Sequence, residues 1–480
     1  MTDHSTREER GGAFTTYPLT DEEREWSFFE FTWVNVGLAI ATWAFLIGGT
    51  TALFVGVRDG LAAIVIGNAI GVGIVAFSAC QGTEKYGVEH YTLLRSVFGA
   101  NGVRVVALIA LIVFGFGWTA VLGIMFGRAT TNVSDALLGT NIGPTDLMVS
   151  LAGIVSLLLA WAVLVRGPVS ISWLNRIVGP GLVLVSFLLL YLIFTQRSWS
   201  ELLAAPPLEP FDDATTNFMI AVELNLAAGL GWWPVMGNLS RLTKSARAAT
   251  WPNLLGIGAA AVLGETVGLL AALTLGSDDP TVWSIPIAGV VFGVFILLFI
   301  ALANVTSIVG FVYSTALAAR QAGTPVAERV PWLWLTGLVL LPGAMGIFFP
   351  EQIYDNFFRF LAWTALAFAP LAGISLADYM LRRRTLHVVD LYARPGQGRY
   401  GYWRGTNLAA LAALIVGAVT YLALLNPQTL DAAPPFVYLT ASVPSCLVAG
   451  ITYVLCMKFV MHPLGQGGLD SPMPSRGTAK

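Results

Sequence analysis

The chain alternates long apolar stretches with short polar connections, twelve times over. The apolar stretches cover about 30–55, 57–80, 104–128, 146–165, 174–195, 214–237, 253–276, 285–318, 330–349, 355–381, 405–426 and 436–460. Each approaches the ~20 residues that carry an α-helix across a hydrocarbon core of about 30 Å. The pattern predicts an all-α integral membrane protein with twelve transmembrane helices. Two stretches contain glycine where a spanning helix should be continuous. Stretch 1 reads Asn35-Val36-Gly37-Leu38-Ala39-Ile40, and stretch 6 reads Ala228-Gly229-Leu230-Gly231-Trp232-Trp233-Pro234. In hydrocarbon an unpaired backbone group is costly, so a broken helix survives only where protein or a wet cavity receives its freed groups.

Stretches 1–5 and 6–10 overlay as two halves, each opening with its interrupted helix. An odd number of spans per half inverts the second half relative to the first. Paired breaks in two such halves point to a midplane site in a carrier of the LeuT type, a five-plus-five inverted repeat with broken helices 1 and 6. The expected organisation is a cytoplasmic N-terminal tail (1–28), a ten-helix core (29–382, with repeats 29–200 and 210–382), a basic cytoplasmic loop (383–404), two additional helices (405–462) and a disordered tail (463–480).

Composition fits this picture. The chain is 56% hydrophobic and 11% charged, with mean hydropathy +0.72, against about 25% charged residues in soluble proteins. With the N-terminus inside, all 26 Lys and Arg except Arg58, Arg128, Arg197 and Arg359 fall on the cytoplasmic side. Arg241, Lys244 and Arg247 form one basic cluster. Arg382, Arg383, Arg384, Arg394, Arg399 and Arg404 form the densest. By the positive-inside rule both termini are cytoplasmic, as in a multi-pass protein of the cell membrane. The first 25 residues are polar, without the apolar core of a cleaved signal. Cys80, Cys446 and Cys456 form no CxxC pair and imply no disulfide framework.

Candidate chemistry lies among the helices. In Ala303-Asn304-Val305-Thr306-Ser307 the two hydroxyls sit three and four residues after Ala303, so they share a face with its carbonyl. A broken helix 1 could add the carbonyls of Gly37 and Ile40. Five neutral oxygens suit a small hard cation such as sodium. The competing reading is that Thr306 and Ser307 bond back to their own helix, as hydroxyls do in membranes. Trp118, in the middle of stretch 3, and Trp232, directly after the second break, could sandwich a flat heterocycle or simply fill the core. Glu223 and Glu265 are intramembrane carboxylates and so candidate proton sites, with hydrogen-bonded packing as the alternative. No phosphate loop, HExxH or hydrolytic constellation occurs, so the chain is expected not to be an enzyme, to need no cofactor and to bind no nucleic acid.

The runs PLAGISLADYMLRRR (370–384), DLYARPGQGRYGYWRGTN (390–407), IGGTTAL (47–53), YGVEHYTLLRSVFGANG (86–102) and GWWPVMGNLSRLTKSAR (231–247) resemble the nucleobase–cation symporter family. That family includes bacterial hydantoin, allantoin and cytosine permeases. The resemblance spans about residues 20–460. It implies a LeuT-type fold and symport of a planar nitrogen heterocycle with a cation. It places the sodium site on Gly37, Ile40, Ala303, Thr306 and Ser307. It places substrate stacking on Trp118 and Trp232, with Gly231 offering backbone polarity beside the ring. Two hydrogen-bonding anchors of hydantoin-type members are replaced by Leu122 and Val312; Thr119, Asn225 and Asn304 are the candidates to substitute for them. The expected function is therefore a sodium-coupled importer of a nucleobase, hydantoin, allantoin or related compound, working as a monomer. Proton coupling through Glu223 or Glu265 is the alternative, and a passive channel or substrate-sensing receptor a third.

Overall fold

A computed structural model describes residues 14–323, 327, 329–382 and 385–469, and these residues form helices and connections without a β-strand. The expected disordered tail lies outside the described residues from 470 onward, as do residues 1–13 and Arg383 and Arg384 of the basic loop.

The main helices are α1 (Phe28–Ala39), α2 (Thr42–Phe54), α3 (Val57–Tyr86), α4 (Arg95–Leu138), α5 (Leu147–Leu164), α6 (Pro168–Gln196) and α7 (Ala214–Leu230). They continue as α8 (Trp233–Ser240), α9 (Ala246–Leu275), α10 (Ser284–Ala322), α11 (Trp332–Gly346), α12 (Phe357–Leu381), α13 (Leu408–Leu424) and α14 (Ser442–Met461). Every predicted apolar stretch is helical. Among the described residues, nine helices are long and apolar enough to cross a membrane, or ten when the bent pair α1–α2 counts as one. The remaining two, α11 and α13, have 15 and 17 residues. At a rise of 1.5 Å, 17 residues reach only ~25 Å, so length alone does not confirm the count of twelve.

Helix starts are fixed by short polar side chains. Ser27 and Glu30 form a reciprocal capping box on α1, and Asp213 accepts from the Thr216 amide at 2.7 Å to begin α7. Such caps occupy amide protons that a helix end would otherwise leave bare.

The two halves pack reciprocally: α2 lies along α9, and α3 lies along α7. Likewise α6 packs on α1, and α12 packs on α7. These are the same contacts with the halves exchanged, as an inverted repeat requires. The α2–α9 crossing is made by glycine. A Cβ on Gly48 would stand 1.9 Å from the Glu265 carbonyl oxygen, and one on Gly268 would stand 2.1 Å from that of Phe45. Backbone meets backbone there, the close approach that small residues permit between membrane helices.

The basic clusters are not all solvated charge. Arg382 is buried and pairs with Asp378 at 2.8 Å. It also donates to the carbonyls of Ser96 (2.9 Å) and Gly467 (2.6 Å) and to the Tyr402 hydroxyl (3.0 Å). Arg241, fully buried, donates to the Tyr313 hydroxyl and the Thr15 carbonyl. These two arginines tie helix ends together, which a charge count cannot reveal.

Candidate functional site

The first break lies three residues beyond Gly37. Gly37 is helical; α1 ends at Ala39, and Ile40 and Ala41 are extended before α2 departs at 52°. A continuous helix would bond the carbonyls of Gly37 and Leu38 to the amides of residues 41 and 42. Here side chains take them. The Thr306 hydroxyl lies 2.9 Å from the Gly37 carbonyl oxygen, the Ser307 hydroxyl lies 3.2 Å from that of Leu38, and the Trp43 indole donates to Leu38 at 3.2 Å. Glycine stands at 37 because of a neighbour, not because of the break: a Cβ there would sit 2.0 Å from Asn175 Oδ1 on α6.

Thr306 Oγ1 also lies 2.7 Å from the Ala303 carbonyl. Two carbonyl oxygens thus converge on one hydroxyl oxygen; that of Ala303 keeps its place in the α10 ladder, while that of Gly37, freed by the break, has the Thr306 hydroxyl as its donor. The back-bonding reading is thus half right: Thr306 reaches its own helix, but also the end of α1. Ser307 faces Leu38 instead of Ala303. Ile40 is fully buried at the corner of the break. Gly37, Ala303 and Thr306 therefore form the compact part of the expected cation set, and their neutral hard oxygens fit sodium.

The second break is shallower. Gly231 and Trp232 interrupt the helix yet keep right-handed helical dihedrals, and α7 and α8 run on as one 27-residue span. Pro234 has no amide hydrogen to give the Leu230 carbonyl, which supplies the interruption without a sharp bend.

Trp118 and Trp232 meet around a third tryptophan. Trp43 stands edge-on to both, with ring centroids 5.8 and 5.5 Å away. Phe311 closes the opposite side at 5.8 Å from Trp118 and 5.3 Å from Trp232. With Phe114, Ala228 and Gly231 these residues line a cavity of about 10 Å³, roughly the space of one water. The box is closed around almost nothing. Its only polar side-chain groups are indole N–H groups, and that of Trp118 is buried without an acceptor. Two larger hollows, of about 460 Å³ each, open on the flanks of α4 and are lined mainly by apolar side chains; Phe360, in the wall of the first, packs on Trp118.

Several expected residues face elsewhere. Thr119 bonds back to the Phe114 carbonyl at 2.6 Å and abuts Gly343 of α11. Asn304 donates to the Thr42 hydroxyl at 2.9 Å, at the first break and not in the aromatic box. Asn225 donates to the Thr51 hydroxyl at 3.0 Å. Leu122 and Val312 are buried and do not line the cavity. Glu223 accepts from the amides of Ala441 (3.0 Å) and Ser442 (3.2 Å) and from the Ser442 hydroxyl (2.5 Å), holding the start of α14. Glu265 accepts from the Asn68 amide, and its second oxygen has no partner. Sequence reasoning missed Trp43, Phe311 and Phe114. Trp43 was findable, because it follows the first break as Trp232 follows the second.

Comparison with known proteins agrees with this architecture. The allantoin permease of Bacillus subtilis (strain 168) is 26% identical over 442 residues, covering 84% of this chain and 85% of that protein. The hydantoin permease of Microbacterium maritypicum is 28% identical over 431 residues, covering 84% and 83%. Among solved structures, Mhp1, a nucleobase-cation-symport-1 family transporter, is similar in its closed conformation with bromovinylhydantoin bound (TM-score 0.71, 21% identity, 92% and 95% covered). Its inward-facing conformation gives a TM-score of 0.74 at 20% identity, covering 92% and 93%. A sodium-coupled sialic acid symporter shares the fold more distantly (TM-score 0.61, 13% identity, 94% and 93% covered). The pattern of one permease family matches residues 18–444. Inverted halves, breaks that meet inside an apolar bundle and a match over most of the length lead to one conclusion: this multi-pass membrane protein is a transporter, not an enzyme, and belongs to the family of permeases for cytosine and purines, uracil, thiamine and allantoin.

Proposed function

We propose that the chain imports a planar nitrogen heterocycle together with sodium, the ion held at Gly37, Ala303 and Thr306 with Ile40 and Ser307 completing the shell. The observation that carries this reading is the convergence of two backbone carbonyls on one hydroxyl across the end of α1. A cation there would be coordinated at once by both carbonyl oxygens and by the hydroxyl oxygen between them. It also ties α1 to α10, and Trp43, just past the bend, forms a wall of the aromatic box. Ion and substrate thus act on one hinge. The rings of Trp43, Trp118 and Trp232 would cover the faces of a flat solute, each aromatic contact contributing about 0.5–1.5 kcal/mol beyond area burial.

Coupling between two ligands is reciprocal. In purified protein, sodium should tighten binding of the preferred member of a panel of nucleobases, hydantoins and allantoin, read by calorimetry against potassium. Equal affinity in the two salts would sink sodium coupling. The charge asymmetry supports an orientation in the cell membrane with both termini cytoplasmic, and one chain contains all the proposed ligands.

A proton-coupled reading is favoured by one observation: the unpartnered oxygen of fully buried Glu265. Under that reading Glu265→Gln abolishes accumulation driven by a pH gradient while exchange of substrate persists. Glu223 carries less weight for it, since three donors already occupy its oxygens.

A further inference from the structure

Asn175 on α6 is buried at 1% exposure. Its amide nitrogen donates to the Ile171 carbonyl at 2.9 Å, one turn back. That bond fixes the orientation of the amide, because a flipped side chain would set oxygen against oxygen. The oxygen Oδ1 therefore points the other way, onto the backbone of Gly37, and it has no hydrogen-bond donor. A buried amide oxygen without a partner costs about 1–3 kcal/mol. The contact is tight enough to exclude any side chain at 37. One turn on, Gly179 lies against the Trp33 carbonyl, so α6 follows α1 closely along this face. Helices α1, α6 and α10 pack pairwise around the spot.

The neighbourhood is thus an excess of oxygen. The carbonyl oxygens of Gly37 and Ala303 lie 2.9 and 2.7 Å from the Thr306 hydroxyl oxygen, and Asn175 Oδ1 has no donor. We infer that Asn175 is an ion-handling residue: its free amide oxygen ligates the coupling cation at the α1–α6 contact, beside the Gly37–Thr306 cluster. The inference rests on the sodium reading above and adds to it an oxygen from a third helix. A neutral amide there supplies a ligand without a fixed charge, so the ion remains free to leave.

The test compares Asn175→Leu, Asn175→Asp and the unmodified protein. The readouts are the sodium dependence of the melting temperature and of amide exchange in residues 36–44, both without substrate. Asn175→Leu keeps the volume and removes the oxygen, and should shift the sodium midpoint upward by about tenfold or more. Asn175→Asp keeps an oxygen and should match or lower the midpoint, with protons competing at acid pH. The same sodium midpoint in Asn175→Leu as in the unmodified protein, with both folded, overturns the role of Asn175 while leaving sodium coupling intact. An unmodified protein indifferent to sodium overturns the coupling itself, and the inference with it. A general loss of packing in Asn175→Leu would lower the melting temperature equally in sodium and potassium and leave the midpoint unmoved, which also counts against the proposal.

Discussion

At the scale of single residues, the aromatic box and the glycine at 37 make the sharpest demands. Trp232→Ala removes the wall nearest the second break and should cut uptake of the preferred heterocycle at least tenfold, with retained expression and a cooperative melting transition as the control. Trp118→Phe retains a ring but deletes a buried indole N–H of the box that lacks an acceptor. It should weaken solutes that present a ring carbonyl or nitrogen to it and leave apolar analogues unchanged, as a binding panel would register. Gly37→Ala drives a methyl group into Asn175 Oδ1, and overpacking of this kind costs about 1–3 kcal/mol. The pair Gly37→Ala with Asn175→Ala should recover part of that loss, a non-additivity that thermal denaturation of all four proteins measures. The Ala303–Thr306 face was legible in the sequence, because spacing along a helix fixes which side chains share a side; the expectation that Trp118 and Trp232 meet rested on their midplane positions and on the family resemblance. What Thr119 and Asn304 would face was not legible, since rotation about the helix axis depends on neighbours distant in sequence.

At the scale of elements, the helix ends carry the stability. The Asp378–Arg382 pair joins α12 to Ser96, Tyr402, Tyr453 and Gly467. Removing one partner of such a buried pair leaves an uncompensated charge and costs about 3–5 kcal/mol. Arg382→Ala should therefore lower the melting temperature sharply, more than Arg382→Ala and Asp378→Ala together. A second element, the turn His90–Leu93 between α3 and α4, presses an imidazole against α8. His90 stands 4.6 Å edge-on from Trp233, and neither ring nitrogen has a hydrogen-bond partner. Burial lowers its pKa from 6.5 to about 3. Below about pH 6.5 the unfolded chain takes up a proton that the folded chain refuses, so stability falls toward acid by as much as ~1.4 kcal/mol per pH unit. His90→Gln should flatten that acid limb of the melting-temperature profile. The helical stretches were readable because apolar length is a strong signal, while nine or ten of the described helices reach spanning length and the count of twelve goes beyond that. The position of the first break was displaced by three residues because glycine serves close approach as readily as bending, and composition does not distinguish the two uses.

At the scale of the whole molecule, the reciprocal packing of the halves makes the fold, and the unequal breaks make it asymmetric. The first half bends by 52°, while α7 and α8 continue as one span. The inversion was legible from the parity of the apolar stretches, and the inequality was not, because it depends on Pro234 withholding one hydrogen from a helix otherwise free to continue. Contacts between α2 and α9 are backbone on backbone, so spin labels on their outer faces should report one fixed distance with and without sodium and substrate. Labels spanning α3 and α10 should report two. A distance between α2 and α9 that changes with loading would refute this division into moving and stationary parts. Where only hydrogen atoms separate two rods, neither can slide without tearing the other. The solute's route is then a seam that opens beside a stiff keel, never a bore drilled through it.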